Sequence, residues 1–220
     1  MLMKNLKKYK DRFDTIALDR IERIREYLDS KPFNKKDYII FHKKMKYIFS
    51  IKWKYIKIVL DIIPEPTPRA RLGSKGVFYV KNSKSNSEFT KKMLKDDLEL
   101  YQYVTTPCSY VIDVYFPIPS SFTKVEVILA ELGLIPKISI PDWDNLGKTY
   151  SDMIQKWIIS NDSLIIDGRV RKHYSLKPRV EILIKYADKN FTKRDERTIE
   201  RSISYKDGID IRENIKAEEN

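Results

Sequence analysis

The run Pro141-Asp142-Trp143-Asp144-Asn145-Leu146-Gly147-Lys148 crowds four polar groups, Asp142, Asp144, Asn145 and Lys148, into a short stretch. In an extended segment, residues two apart point the same way, so Asp142 and Asp144 can present both carboxylates to one ligand. A helix starting near Asp144 carries Asp144, Lys148 and Asp152 on one face, each four residues from the next. Asn145 lies beside them. Paired carboxylates suit Mg²⁺, a hard cation that takes oxygen ligands and keeps several waters. A second ion needs a further carboxylate, and Asn161-Asp162 supplies one just before the next predicted strand. Two metals about 4 Å apart activate a water and stabilise the leaving oxygen of a phosphodiester. Lys148 would then neutralise charge developing on the scissile phosphate.

The same residues have a plainer use. An Asp or Asn before a helix caps it, and an acid in the first turn complements the helix dipole. Asp144, Lys148 and Asp152 also make an ordinary surface ion-pair ladder. The spacing alone leaves both uses open.

The elements that must position these residues are legible in outline. The hydrophobic spacing predicts an amphipathic helix over 9–29, ended by Asp29-Ser30 and Pro32. A second helix, rich in Lys and aromatics, is predicted over 37–53. Residues 55–63 are β-branched and read as a buried strand. A stiff Pro64-Glu65-Pro66-Thr67-Pro68 connector follows. A short strand is expected at 77–80 and a helix at 86–103. Cys108, Tyr110, Ile112, Val114 and Phe116 alternate along a clear strand, stopped by Pro117 and Pro119. Short helical signals follow at 123–132, and a longer helix runs from Pro141 to about Trp157. Strands near 164–174 and 179–186 are expected to pair as a hairpin across Ser175–Pro178. Without strict βαβ alternation, the order fits an α+β fold: a small mixed sheet with packed helices. The organisation expected is a basic helical extension over 1–53, a domain over 54–186 and a charged tail, helical or disordered, over 187–220.

The chain has 220 residues with 43 Lys+Arg against 31 Asp+Glu, a net charge of +12. The imbalance is local: residues 1–57 hold 17 Lys+Arg and 7 Asp+Glu. So basic a chain is expected to meet a polyanion. Basic residues interleaved with aromatics over 37–53 suit a nucleic-acid strand, and equally suit a helix that packs its rings and solvates its lysines. The single Cys108 excludes an intramolecular disulfide and a cysteine-cluster zinc site. It reads as a small core residue. No apolar run reaches the roughly 20 residues of a membrane span. The N-terminus lacks an apolar signal core. The expected compartment is therefore the reducing cytoplasm. His173, among Arg171, Lys172 and Tyr174, reads as a structural histidine, Trp157 as a helix-on-sheet anchor, and Trp143 as a core or interface anchor or a stacking ring.

Taken together, the motifs resemble the RusA-type Holliday-junction resolvases. Pro-Asp-x-Asp-Asn-Leu-x-Lys over 141–148 resembles the family signature. Asp152 follows on the helix, then the apolar pair Trp157-Ile158. Asn161-Asp162-Ser163 stands where the family usually has Asp-Asp-Ser/Gln. A strand then leads through Arg169, Arg171 and Lys172 to Pro178-Arg179-Val180-Glu181-Ile182. Upstream, Pro68-Arg69-Ala70-Arg71 resembles the family's Pro/Arg-rich segment. The resemblance covers about 54–186. Two positions depart from the pattern: Ile140 stands where a basic residue often precedes the Pro-Asp, and Asn161 replaces the first acid of the Asp-Asp pair.

The resemblance implies a dimeric α+β endonuclease that needs Mg²⁺, with Mn²⁺ as an alternative, and cuts four-way DNA junctions. It implies Asp142, Asp144 and Asp162 as metal-binding catalytic carboxylates and Lys148 as the catalytic lysine. Asn145 and Asp152 would support them. Arg69 and Arg71 are candidates for DNA contact, with Lys75 and the strand residues Arg169, Arg171 and Lys172 as further basic candidates. The implied setting is recombination or repair in a phage or prophage, in a bacterial or infected cytoplasm, with no membrane partner. A twofold dimer would match the near-twofold symmetry of a four-way junction and supply two opposed nicks. The readings kept beside it are a branched-DNA-binding protein without cleavage and a basic protein-interaction scaffold.

Overall fold

Alternation decides the sheet. Along β4 (Cys108–Pro117) of the computed structural model, Cys108, Tyr110, Ile112, Val114 and Phe116 are buried and the residues between them are not. The structure describes residues 18–65, 71–73, 76–78, 91, 103–155 and 157–202. The chain divides into two compact units, Met1–Ser50 and Ile51–Asn220.

In the first unit, α1 (Leu18–Ser30) and α2 (Lys35–Ser50) are joined by a short turn. Asn34 caps α2: its Oδ1 accepts from the Lys36 and Asp37 amides at 2.8 and 3.1 Å, and Asp37 Oδ2 accepts from the Asn34 amide at 3.1 Å. Phe33 packs edge-on against Tyr38 at 5.4 Å, the apolar staple that often accompanies such a box. α2 buries no residue fully, and Ile39, Ile40 and Tyr47 are exposed.

In the second unit, four strands form a mixed sheet in the order β1-β6-β4-β5. They are β1 (Trp53–Leu60), β4, β5 (Ile165–Ser175) and β6 (Arg179–Ala187). β6 runs antiparallel to both β1 and β4, whereas β5 is parallel to β4. A separate two-stranded ribbon pairs β2 (Arg71–Gly73) with β3 (Gly76–Phe78). The helices are α3 (Lys124–Glu131), α4 (Trp143–Gln155) and, in the tail, α5 (Lys193–Ser202). This is an α+β fold with a small mixed sheet, as the sequence implies, with helices in the N-terminal unit. Residues 66–68 of the connector expected over 64–68, and the expected helix over 86–103 apart from 91 and 103, lie outside the described residues.

The register stacks the core in rows. Ile58, Ile182 and Ile112 align across three strands with Val170 on the fourth. Ile56, Ile184, Tyr110 and Gly168 form the row beside it, and Leu60, Val180, Val114 and Lys172 the row on the other side. Against this face α4 lays Leu146, Tyr150, Met153 and Ile154, spaced as one helical stripe. Burying one side chain such as Ile112 contributes about 1.5–3 kcal/mol. Trp157 and Cys108 are buried in the same core, and burial pushes the Cys108 thiol up to about 11.

One expectation fails. β5 and β6 do not pair as a hairpin: β4 lies between them, and the short link Leu176–Pro178 passes over its end. The chemistry explains it. A tight hairpin needs Gly, Asn or Asp at positive φ, and Leu-Lys-Pro offers none. The link is fixed instead by Glu131 at the end of α3, whose carboxylate accepts from the Leu176 amide at 2.6 Å and from Ser175 Oγ at 3.3 Å. β4, the most apolar strand, takes the centre.

Candidate active site

The acidic run is delivered by a loop-to-helix junction. The Asp142 carbonyl accepts the Leu146 amide at 3.2 Å, so Asp142 stands at the mouth of α4. Asp142 and Asp144 are exposed there, and Asn145 is half-buried, with its carbonyl accepting from Thr149 Oγ1 at 2.7 Å. Carboxylates at this end of a helix meet the positive pole of its dipole. One turn on, Lys148 pairs with Asp152 at 3.2 Å, both groups well exposed. The i, i+4, i+8 face read from the sequence therefore exists, with its ion pair between the second and third members.

Asp162 enters from a one-turn 3-10 helix (Asp162–Leu164) that packs beside α4. Asn161 caps this turn, its Oδ1 accepting from the Ser163 amide at 2.8 Å. Asn and Asp cap equally well, which explains why Asn161 can replace an acid without disturbing Asp162. Below both elements lies the Tyr110 hydroxyl, 3.3 Å from the Gly147 carbonyl. Burial pushes this phenol above its ordinary value; a hydrogen bond with Ser151 opposes that, and the charges of Asp152 and Asp162 add to it.

The loop entering α4 is held by two lysines. Lys172 Nζ donates to the carbonyls of Ser139 at 3.0 Å and Pro141 at 3.1 Å. Lys137 Nζ donates to the Ile140 carbonyl at 2.8 Å, to the Ser139 carbonyl at 3.2 Å and to Ser139 Oγ. It also sits 4.9 Å from the centre of the Phe116 ring. Burial and the neighbouring Lys172 charge hold the Lys137 ammonium below the usual lysine range. The role of Lys172 is not visible in the sequence, because it depends on which face of β5 turns toward the loop, whereas Lys137 acts within its own loop.

The remaining basic candidates are distributed differently. Arg169 and Arg171 lie on the face of β5 opposite Lys172, turned away from α4. Arg169 pairs with Asp167 at 3.0 Å, and Arg171 makes a forked pair with Asp113 at 2.6 and 2.5 Å. His173 Nε2 lies 3.0 Å from Asp113 Oδ1 and its ring stacks on Tyr115 at 4.9 Å, a structural setting. Arg179 covers the Tyr115 ring at 3.6 Å. Arg71 lies in β2, while Arg69 and Lys75 fall outside the described residues. Trp143 is 64% exposed, which removes the core reading for it.

A family model described as endodeoxyribonuclease RusA matches residues 61–185, more than half of the chain. The chain belongs to the RusA endodeoxyribonuclease family. The RusA match begins just after β1 and spans every element that carries the acidic residues. A relative, the uncharacterized protein YqaN of Bacillus subtilis (strain 168), is 38% identical over 84 residues, which is 37% of this chain. The chain spans 59% of that relative's length. RusA nucleases are in general dependent on a divalent metal. The candidates Asp142, Asp144 and Asp162 offer carboxylate oxygens, the chemistry a hard divalent cation takes. Among the described residues, no three His, Cys, Asp or Glu side chains are gathered around one point.

Proposed function

We propose that this chain is a structure-selective endodeoxyribonuclease that resolves four-way DNA junctions by paired nicks. The observation that carries the reading is an exposed acidic helix start, Asp142 and Asp144 with Lys148 and Asp152 on the following turns, inside the RusA match. Asp142, Asp144 and Asp162 would hold a divalent cation, Mg²⁺ first and Mn²⁺ as an alternative, which when bound supplies positive charge at the scissile phosphate and an activated water. Small hard cations are commonly held by one or two carboxylates, with water and substrate phosphate completing the shell, so Asp142, Asp144 and Asp162 need not all touch the ion at once. Lys148 stands on the exposed face of α4 and meets the phosphate; Asp152 orients its ammonium. Asn145 steadies the first turn.

Arg69, Arg71 and Lys75 are the DNA contacts we assign beyond the acidic cluster. The basic extension over 1–53 adds charge-driven, salt-dependent grip on the backbone. The nuclease domain is assigned to 54–186 and the tail to 187–220. A homodimer supplies the two sites that opposed nicks require. The exposed apolar residues Ile128, Leu132, Leu134, Ile138 and Ile140, running from α3 into the loop, support an assembly of copies. Among the described residues no helix is long and apolar enough to cross a membrane. We place the activity in the cytoplasm.

The test is a nicking assay on a labelled synthetic four-way junction and a matched linear duplex, each with Mg²⁺ or with EDTA. The account predicts paired nicks in opposed strands of the junction within one binding event, only with Mg²⁺. Tight junction binding with no metal-dependent product would leave a recognition protein, and equal cutting of the duplex would remove the structure selectivity.

A further inference from the structure

We infer that Lys172 and Lys137 form a two-cation clamp that positions the entry of α4, and that Lys172 is a positioning residue for the nuclease site, not a DNA contact. The inference rests on the proposed nuclease reading for its catalytic consequence and on geometry for its structural one. The loop before α4 contains three successive carbonyls, Ser139, Ile140 and Pro141. Each accepts from a lysine ammonium: Lys172 at 3.0 and 3.1 Å for Ser139 and Pro141, Lys137 at 2.8 Å for Ile140. Backbone carbonyls need partners, and a loop leaving a helix has no ladder to supply them. Lys137 is 9% exposed as a residue, and its ammonium is bonded within this loop to Ser139 and Ile140.

Lys172 belongs to the edge strand and lies more than thirty residues from the carbonyls it holds. It sits in the core-facing row with Leu60, Val180 and Val114, on the side of the sheet that α4 covers. Its ammonium has three donors, and carbonyls take two of them in charge-assisted hydrogen bonds. The second of these carbonyls is that of Pro141, bonded directly to Asp142. The clamp therefore ties the sheet to the residue that opens the acidic run, while Ile138 and Ile140 turn outward at 87% and 82% exposure. A backbone fixed on its carbonyl side by two cations sets where α4 and its acidic first turn begin.

The experiment uses Lys172→Met in the full chain, which keeps the aliphatic stem and removes the donors. Three quantities are read: junction affinity with Ca²⁺ in place of Mg²⁺, single-turnover nicking at saturating junction, and amide exchange. The clamp predicts that nicking at saturation falls at least about tenfold, since an ångström-scale misplacement of reacting groups is costly. Affinity stays within about twofold, because a positioning residue touches no phosphate. Amide exchange rises over 137–146 and stays unchanged over β4 and β6. Lys137→Gln is read in the same way, and stands in if Lys172→Met does not fold. A phosphate-binding Lys172 gives the opposite split: weaker binding, a salt slope smaller by about one, and intact nicking at saturation. That result, or unchanged exchange over 137–146, overturns the clamp. If the wild-type chain nicks nothing, the nuclease reading falls, and the exchange measurement still decides the clamp.

Discussion

Asp113 shows how a single side chain can absorb basic groups that the sequence offers to DNA. Burial pushes its carboxyl up, yet the hydrogen bonds and charges of Arg171 and His173 outweigh this and hold it below the usual carboxylate range. A depressed pKa means that the pairing stabilises the fold above the unfolded value of about 3.9 and is lost as pH falls through the folded value. Asp113→Asn is therefore expected to cost about 1.5–3 kcal/mol near neutrality, the usual worth of hydrogen bonds to a charged group. The gap to wild type should be full above about pH 5 and shrink toward about pH 3. Urea midpoints over that range check it, and a gap that stays constant down to about pH 3 contradicts it. Asp142, Asp144, Lys148 and Asp162 could be picked out from sequence because chemistry-bearing types crowd two short runs. The partners of Arg171 and Lys172 could not. They are adjacent in sequence, yet pleating sends one to Asp113 and the other to Pro141 on opposite faces.

The strands show where pattern suffices and where pairing must be seen. Period-two burial located β4 and the core row it carries, but strand order depends on contacts between distant segments. The expected β5–β6 hairpin failed on that ground, although the absence of Gly, Asn or Asp in the Leu176–Pro178 link pointed against it. Gly168 is the other signal, since a glycine inside a strand marks a close approach. A Cβ built there would meet Tyr110 Cε1 at 2.9 Å, and that ring is wedged between β5 and α4. Gly168→Ala is expected to destabilise the second unit by about 1–3 kcal/mol through overpacking, measured by urea unfolding. The Gly147 position is roomier, with Val170 Cγ2 at 3.2 Å, and the better helix propensity of Ala offsets the crowding there. A Gly168→Ala protein as stable as wild type would mean that Tyr110 is free to move, and the link between β5 and the acidic face of α4 would be lost with it.

At the scale of the molecule, charge and chemistry are separated along the chain. The excess of positive charge belongs to the first quarter, whereas the carboxylates lie at the mouth of α4 and the turn before β5, within the RusA match. That division suits a nuclease that grips phosphates broadly and cuts beside the acidic start of α4. Composition alone already pointed to a polyanionic partner; only the order of motifs pointed to cleavage, and only the fold sets the turn that carries Asp162 beside α4. The measurement that bears most directly on the account is Asp144→Asn in the full chain, with junction binding and Mg²⁺-dependent nicking read side by side. The account predicts junction affinity at or above that of wild type and nicking reduced by at least about 10²-fold, as expected when a group that stabilises charge in the transition state is removed. Undiminished nicking by this variant would contradict the assignment of the acidic helix start as the place where the phosphodiester is cut.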